Sequence, residues 1–181
     1  LDGLGLAYRC FLSRTELEHI TPAPLDAEQE AGLLAAGKPF AWRLSLARAR
    51  EYLGPAWGEL TYCLQTAHGI ETVQADPTRH GDIVIARKDS PSAYHIASTH
   101  DDAVQAITHV IRGQDLAEAV HIHTLIQVLM GWPQPVYQHH DLVMGGDGKR
   151  LAKSNGSLPL AQLRADGMSV SDIWRALDLA D

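Results

Sequence analysis

The fold class is decided by Thr108-His109-Val110-Ile111-Arg112-Gly113, the apolar run of residues 116–130, Gly131-Trp132-Pro133 and the segment 136–143. Val110 and Ile111 belong to a short strand that Gly113 breaks. From Leu116 onward, Leu116, Ala119, Val120, His123, Ile126, Gln127 and Met130 recur at helical spacing and fall on one stripe. Asp115 and Glu118 stand where a helix start needs acceptors for its free amides, so both are read as caps. Gly131-Trp132-Pro133 ends the helix, and 136–143 reads as the next strand. Strand, helix and strand in this order imply a right-handed crossover and a sheet that is at least partly parallel. The chain is therefore α/β.

Working outward, residues 82–87 and 94–98 read as strands and 101–107 as a helix. Before them come a strand at 8–11, a short helix through Ile20 opened by the capping box Ser13-Arg14-Thr15-Glu16, a helix at 25–36 ending at Gly37, and a strand at 40–46. Residues 54–79 mix Gly, Pro and polar residues with short apolar pieces and are expected to form extended segments and loops. Two closing helices are expected at 159–165 and 169–177, the second capped by Ser169-Val170-Ser171-Asp172.

The 181 residues are 45% hydrophobic, enough for a substantial core. A formal charge of -7 argues against a protein that coats nucleic acid generally, so any RNA contact should be focal. Cys10 and Cys63 lie far apart, which implies neither a disulfide framework nor a Cys-rich metal site and fits a reducing cytosol. No membrane span and no signal segment are evident, so a soluble, cytoplasmic protein is expected. Leu1 runs at once into Leu4, Leu6, Ala7 and Tyr8, as though already inside a domain, and a fragment is expected.

Gly145-Gly146-Asp147-Gly148 places glycines where backbone must bend and is followed by Lys149, Arg150 and Lys153, whose charges suit polyphosphate. By composition alone, such a loop is equally well a solvated turn. Taken by themselves, Tyr94 reads as a buried strand-end phenol and Arg112 as a surface arginine in an ion pair. His139 and His140 point to opposite faces of a strand, and His121 and His123 diverge on a helix. Neither pair shares a metal ion easily, and structural or ligand-edge roles fit them better.

Arg150-Leu151-Ala152-Lys153-Ser154 resembles the KMSKS signature of class I aminoacyl-tRNA synthetases, with the second lysine and the final serine retained. The ordered set Asp82-Ile83-Val84-Ile85-Ala86-Arg87-Lys88-Asp89, Tyr94-His95-Ile96-Ala97, Asp101-Asp102-Ala103, residues 108–116 and Val136-Tyr137-Gln138-His139-His140 is similar to the glutamyl-tRNA synthetase catalytic core, especially its glutamyl-Q branch. The resemblance implies the distal half of a Rossmann-like catalytic domain with a parallel sheet, an inserted α/β segment and a C-terminal helical tail. The inserted segment is expected at residues 1–80, the second half of the Rossmann-like core at 81–157 and the helical tail at 158–181.

The same resemblance implies ATP-dependent activation of glutamate, with Mg2+ accompanying ATP, and transfer to the queuosine base of tRNA(Asp). Arg150, Leu151, Ala152, Lys153 and Ser154 would bind ATP, and Tyr94 and Arg112 would bind glutamate. Lys153 would be catalytic, offsetting charge as pyrophosphate leaves rather than acting as a base. Tyr8-Arg9-Cys10-Phe11-Leu12 is similar to the stretch that opens the family's zinc site, but Leu12 replaces the second cysteine, so no zinc is expected. The HIGH-bearing segment of the family does not appear, and this chain by itself is expected to be incomplete for catalysis. The alternatives are a piece of an ordinary glutamyl-tRNA synthetase charging tRNA(Glu), and a non-catalytic binding module of the same fold.

Overall fold

A computed structural model describes residues 1–145, 148–152 and 156–177. In chain order the elements are β1 (Ala7–Cys10), α1 (Ala27–Ala35), β2 (Ala41–Leu44), α2 (Leu46–Leu53), β3 (Thr61–Thr66), β4 (Gly69–Gln74), β5 (Val84–Ala86), α3 (Tyr94–Val104), β6 (His109–Gly113), α4 (Ala119–Met130), β7 (Val136–His140), α5 (Leu160–Ala165) and α6 (Val170–Ala176). The backbone groups into two compact units. Leu1–Arg112 with Leu116–His139 form one, and Gly113–Asp115 with the chain from His140 form the other.

The first unit is built around α4. Residues from Ala119 to Gln127 are all buried, and so is Leu129. A helix that is apolar nearly all round has to be enclosed rather than laid on a surface. The single stripe expected from its spacing is therefore too narrow a description. Glu118 stands at the N-cap position without a side-chain cap bond and instead meets Arg79 at 3.2 Å, which corrects its reading as a cap. At the other end Gly131 adopts φ 64°, and Trp132 N–H reaches back to the Gln127 carbonyl at 2.9 Å, closing the last turn.

Two sheets flank this core. One is antiparallel in the order β1-β2-β5, and the other runs β4-β3-β7-β6. In the second, β3 and β4 form a hairpin, while β3 pairs in parallel with β7 through Cys63↔Val136, Leu64↔Tyr137 and Gln65↔Gln138. The sheet is thus mixed, and each sheet draws strands from both sides of residue 80. Tyr62 and Tyr137 bring their rings edge to face at 6.0 Å, and Tyr62 meets His121 of α4 at 5.6 Å.

Residues 94–98 are helix, not the strand that their β-favouring Tyr and Ile suggest. They form one α3 with most of the helix expected at 101–107, and Ala106 leaves it at φ 53°. Packing against α4 overrides local propensity here: Thr99 is fully buried, and its hydroxyl donates to the His95 carbonyl at 2.7 Å. A second difference is α2, where Ser45 accepts the Arg48 amide and starts a helix inside the end of the expected 40–46 strand. Ser13 and Glu16 do exchange capping bonds, at 2.7 and 3.3 Å, although only a 3-10 turn, Glu16–Glu18, follows.

In the second unit, Met144 and Arg150 form a β-bridge, Leu151 N–H donates to the Val143 carbonyl at 2.8 Å, and Gly148 adopts φ 72°. The two closing helices are α5 and α6, and Ser169 and Asp172 complete the capping box of α6. Among the described residues Asp115 caps no helix, and it pairs with Arg150.

Ile122→Ala, at a fully buried α4 position, should cost about 2–5 kcal/mol in denaturant unfolding. Val104→Ala, at an exposed site on α3, should change stability by no more than about 0.5 kcal/mol.

Candidate active site

β6 delivers Arg112 and the start of α3 delivers Tyr94, and the fold brings the two together. Arg112 Nη1 donates to the Tyr94 hydroxyl at 3.4 Å and approaches His123 Nδ1 at 3.3 Å. The guanidinium stacks over the Tyr137 ring at 5.2 Å, and Tyr137 is fixed in turn by Gln127 Nε2, which donates to its hydroxyl at 2.9 Å. Arg112 Nε and Nη2 are buried and have no acceptor among the described residues. Tyr94 is half exposed. A planar cation with two unsatisfied donors beside a phenol is suited to bind a carboxylate.

Imidazoles back this pair. His123 Nε2 lies 3.1 Å from His95 Nδ1, His80 meets His95 edge to face at 6.1 Å, and His80 Nε2 donates to the Glu118 carbonyl at 2.7 Å. Burial, then Arg112 and the other two histidines, push the His123 pKa down to about 3. Burial, then His80 and Arg112, lower that of His95. Burial raises Tyr137 to about 12. The Arg112 cation therefore stands beside His123, His95 and Tyr137, which burial holds in their neutral forms near neutral pH. Tyr94 and His95 also line a cleft of about 750 Å³ shared with Cys10, Arg14, Arg43, Asp82, Arg87 and Lys88.

The sequence reading missed His95, and it treated His123 only as a helix histidine. The available signal was His123 and Gln127, two polar residues one turn apart on an otherwise apolar stripe. Ser98, one turn after Tyr94, has a buried hydroxyl with no acceptor or donor among the described residues.

The residues expected to form a phosphate loop belong to the second unit. Arg150 is salt-bridged to Asp115, Leu151 is exposed, and the Ala152 amide donates to Ser157 Oγ at 3.0 Å. Lys153 and Ser154 lie outside the described residues. A Cβ at Gly113 would sit 2.6 Å from Asp115 Oδ1 and 3.1 Å from Leu142 Cδ2, so the ends of both side chains would have to shift. Among the described residues no group of three or more His, Cys, Asp or Glu is placed to hold a metal ion, and no helix is long and apolar enough to cross a membrane.

Comparison with known proteins identifies the setting of this geometry. The family of tRNA synthetases class I (E and Q), catalytic domain, matches residues 66–179, more than half of the chain. The chain belongs to that family, a family of ligases. A glutamyl-Q tRNA(Asp) synthetase of Rhodobacter capsulatus is 48% identical over 99 residues, covering 55% of this chain and 36% of the relative. One from Leptothrix cholodnii is 36% identical over 170 residues, covering 87% of this chain and 54% of the relative. The chain thus spans about half the length, or less, of these curated relatives. A glutamate tRNA ligase from Elizabethkingia meningosepticum, solved in complex with its amino acid, shares the fold with a TM-score of 0.60 at 23% identity, over 93% of this chain and 35% of that one.

The depressed His123 pKa sets the sign of one pH effect. An unfolded histidine takes up its proton near pH 6.5, whereas folded His123 resists it down to about 3. The unfolded state therefore binds more protons in that window, and stability falls as pH drops from about 6.5, by at most about 1.4 kcal/mol per unit for this group. Denaturant midpoints at pH 7 and 5 should diverge less for His123→Gln than for the unsubstituted protein. An identical divergence would contradict the assignment.

Proposed function

We propose that the full-length protein carrying this chain activates glutamate with ATP and transfers it to the queuosine base of tRNA(Asp). The observation that carries the glutamate assignment is Arg112, whose buried Nε and Nη2 have no protein acceptor among the described residues while its Nη1 is held beside the Tyr94 hydroxyl. A substrate carboxylate supplies the missing acceptor, and Tyr94 orients it. In this reading the amino-acid carboxylate attacks the α-phosphorus of ATP, brought as its Mg2+ complex, and pyrophosphate leaves.

The loop from Arg150 to Ser154 takes the phosphate side, and Lys153 offsets the charge that grows as the bond to pyrophosphate breaks. Residues 1–80, 81–157 and 158–181 take the roles of insertion, second half of the catalytic core and helical tail. The queuosine branch is favoured by relatives named for it at 48% and 36% identity. A glutamate–tRNA ligase of Erythrobacter litoralis, 31% identical over 92% of this chain, favours the second reading, glutamylation of tRNA(Glu). Both place the protein in the cytosol with its tRNA.

Glutamate-dependent pyrophosphate exchange with and without tRNA, followed by acid-stability mapping of the charged RNA, separates the two. Exchange without RNA and glutamate carried by tRNA(Asp) is the expected result, and activity confined to tRNA(Glu) would overturn the queuosine reading. Arg112→Lys, which loses the planar fork, should raise the glutamate KM by about tenfold or more with little change for ATP. Lys153→Ala should slow adenylate formation far more than it weakens glutamate binding, and equal losses would remove its assigned role.

A further inference from the structure

Arg112 is the only residue of β6 to send a cation against α4, and what it meets there is a histidine. A guanidinium stays protonated throughout the working pH range and can only donate. At 3.3 Å from Arg112 Nη1, His123 Nδ1 must therefore accept, which leaves the ring proton on Nε2. Nε2–H then points at His95 Nδ1, 3.1 Å away, and His95 keeps its own proton on Nε2. One fixed donor thus sets the tautomers of two consecutive imidazoles.

The enclosure makes this arrangement rigid. His123 is fully buried on α4, with the Tyr94 ring 5.7 Å and the His95 ring 5.2 Å from its own. A second proton on His123 would place two cations side by side and turn Nδ1, the acceptor for Arg112 Nη1, into a donor facing another donor. Tyr137 supports the guanidinium plane from another side. With Nη1 committed to His123 and Tyr94, the Nε and Nη2 donors are the pair kept for a ligand. This is the edge that pairs with a carboxylate through two parallel bonds.

We infer that His123, as a neutral Nε2–H imidazole held by His95, is a positioning residue that locks the Arg112 guanidinium for a substrate carboxylate. The inference rests on the reading of Arg112 as the glutamate-binding cation. His123 touches no reacting atom in this scheme. Its effect passes through Arg112, so it acts on the amino-acid substrate and not on ATP. The same logic makes His95 the acceptor that holds the His123 Nε2–H, and it accounts for a polar contact between α3 and α4 where an apolar one would otherwise stand.

The test is steady-state pyrophosphate exchange on the full-length protein. His123→Ala should raise the glutamate KM by about tenfold, the loss of one hydrogen bond to a charged group, with the ATP KM within about twofold. His123→Asn, whose amide oxygen reaches the place of Nδ1, should recover most of that loss. A glutamate KM unchanged by His123→Ala, or losses equal in Ala and Asn variants of normal thermal stability, would overturn the inference. Arg112→Lys keeps the two failures apart: if it leaves the glutamate KM unaltered, the glutamate reading itself fails. If the alanine variant does not fold, 15N spectra of the histidine-labelled protein decide the matter. A neutral ring protonated on Nε2 at pH 6 supports the inference, and one protonated on Nδ1 sinks it.

Discussion

Helix α4 gives almost none of its surface to water, with Val128 its one exposed residue. Its residues from Ala119 to Gln127 are all buried, so the first unit has to wrap it, with α3 and β3 packed against it and the 3-10 turn Pro77–His80 laid along it. Burying each Val, Ile or Leu side chain is worth about 1.5–3 kcal/mol, and Val120, Ile122, Leu125 and Ile126 are all fully enclosed. Because the helix is enclosed, its polar residues are enclosed too. His121, His123, Thr124 and Gln127 must find partners inside the protein. Each has at least one: His121 accepts the Asp76 amide, Thr124 donates to the Val120 carbonyl, Gln127 donates to Tyr137 while its Oε1 has no partner among the described residues, and His123 lies between His95 and Arg112.

That constraint links the core to the candidate site. The same helix that fills the interior supplies the imidazole behind Arg112, so the position of the guanidinium is set by packing rather than by a loop. Electrostatics follow from enclosure. Low local polarity disfavours a second charge on His123 or His95, and it strengthens whatever single interaction Arg112 makes with an anion. A permanent cation with two buried donors that have no acceptor among the described residues is costly to maintain unless a ligand supplies one. This is the kind of stored imbalance that accompanies binding sites.

Much of the site was legible as residue identity and little of it as geometry. Tyr94 and Arg112 stood out through their setting in a family-like series of segments, and they do meet in space. The Arg150–Ser154 loop was legible as a cationic turn, whereas its tie to Asp115 was not, because Asp115 also sits where a helix cap would be read. The 94–98 segment was misread for a physical reason. Tyr and Ile favour strands when they line a pleated surface, but beside α4 a helix lets Thr99 bury completely and bond to the His95 carbonyl. The α2 start at Ser45 was hidden by the apolar strand that runs directly into it.

By itself the sequence determined the α/β class, the long helix with its glycine stop at Gly131, and the capping box at Ser169 and Asp172. These depend on neighbours a few positions apart, where propensity, periodicity and capping act. Only the tertiary structure decided that β3 lies parallel to β7, that residues 94–104 are one helix, and that His95 and His123 stand in line behind Arg112. His95 and His123 lie on different helices, and Arg112 on a strand. Their alignment is fixed by how α3, α4 and β6 pack, and no local pattern encodes that.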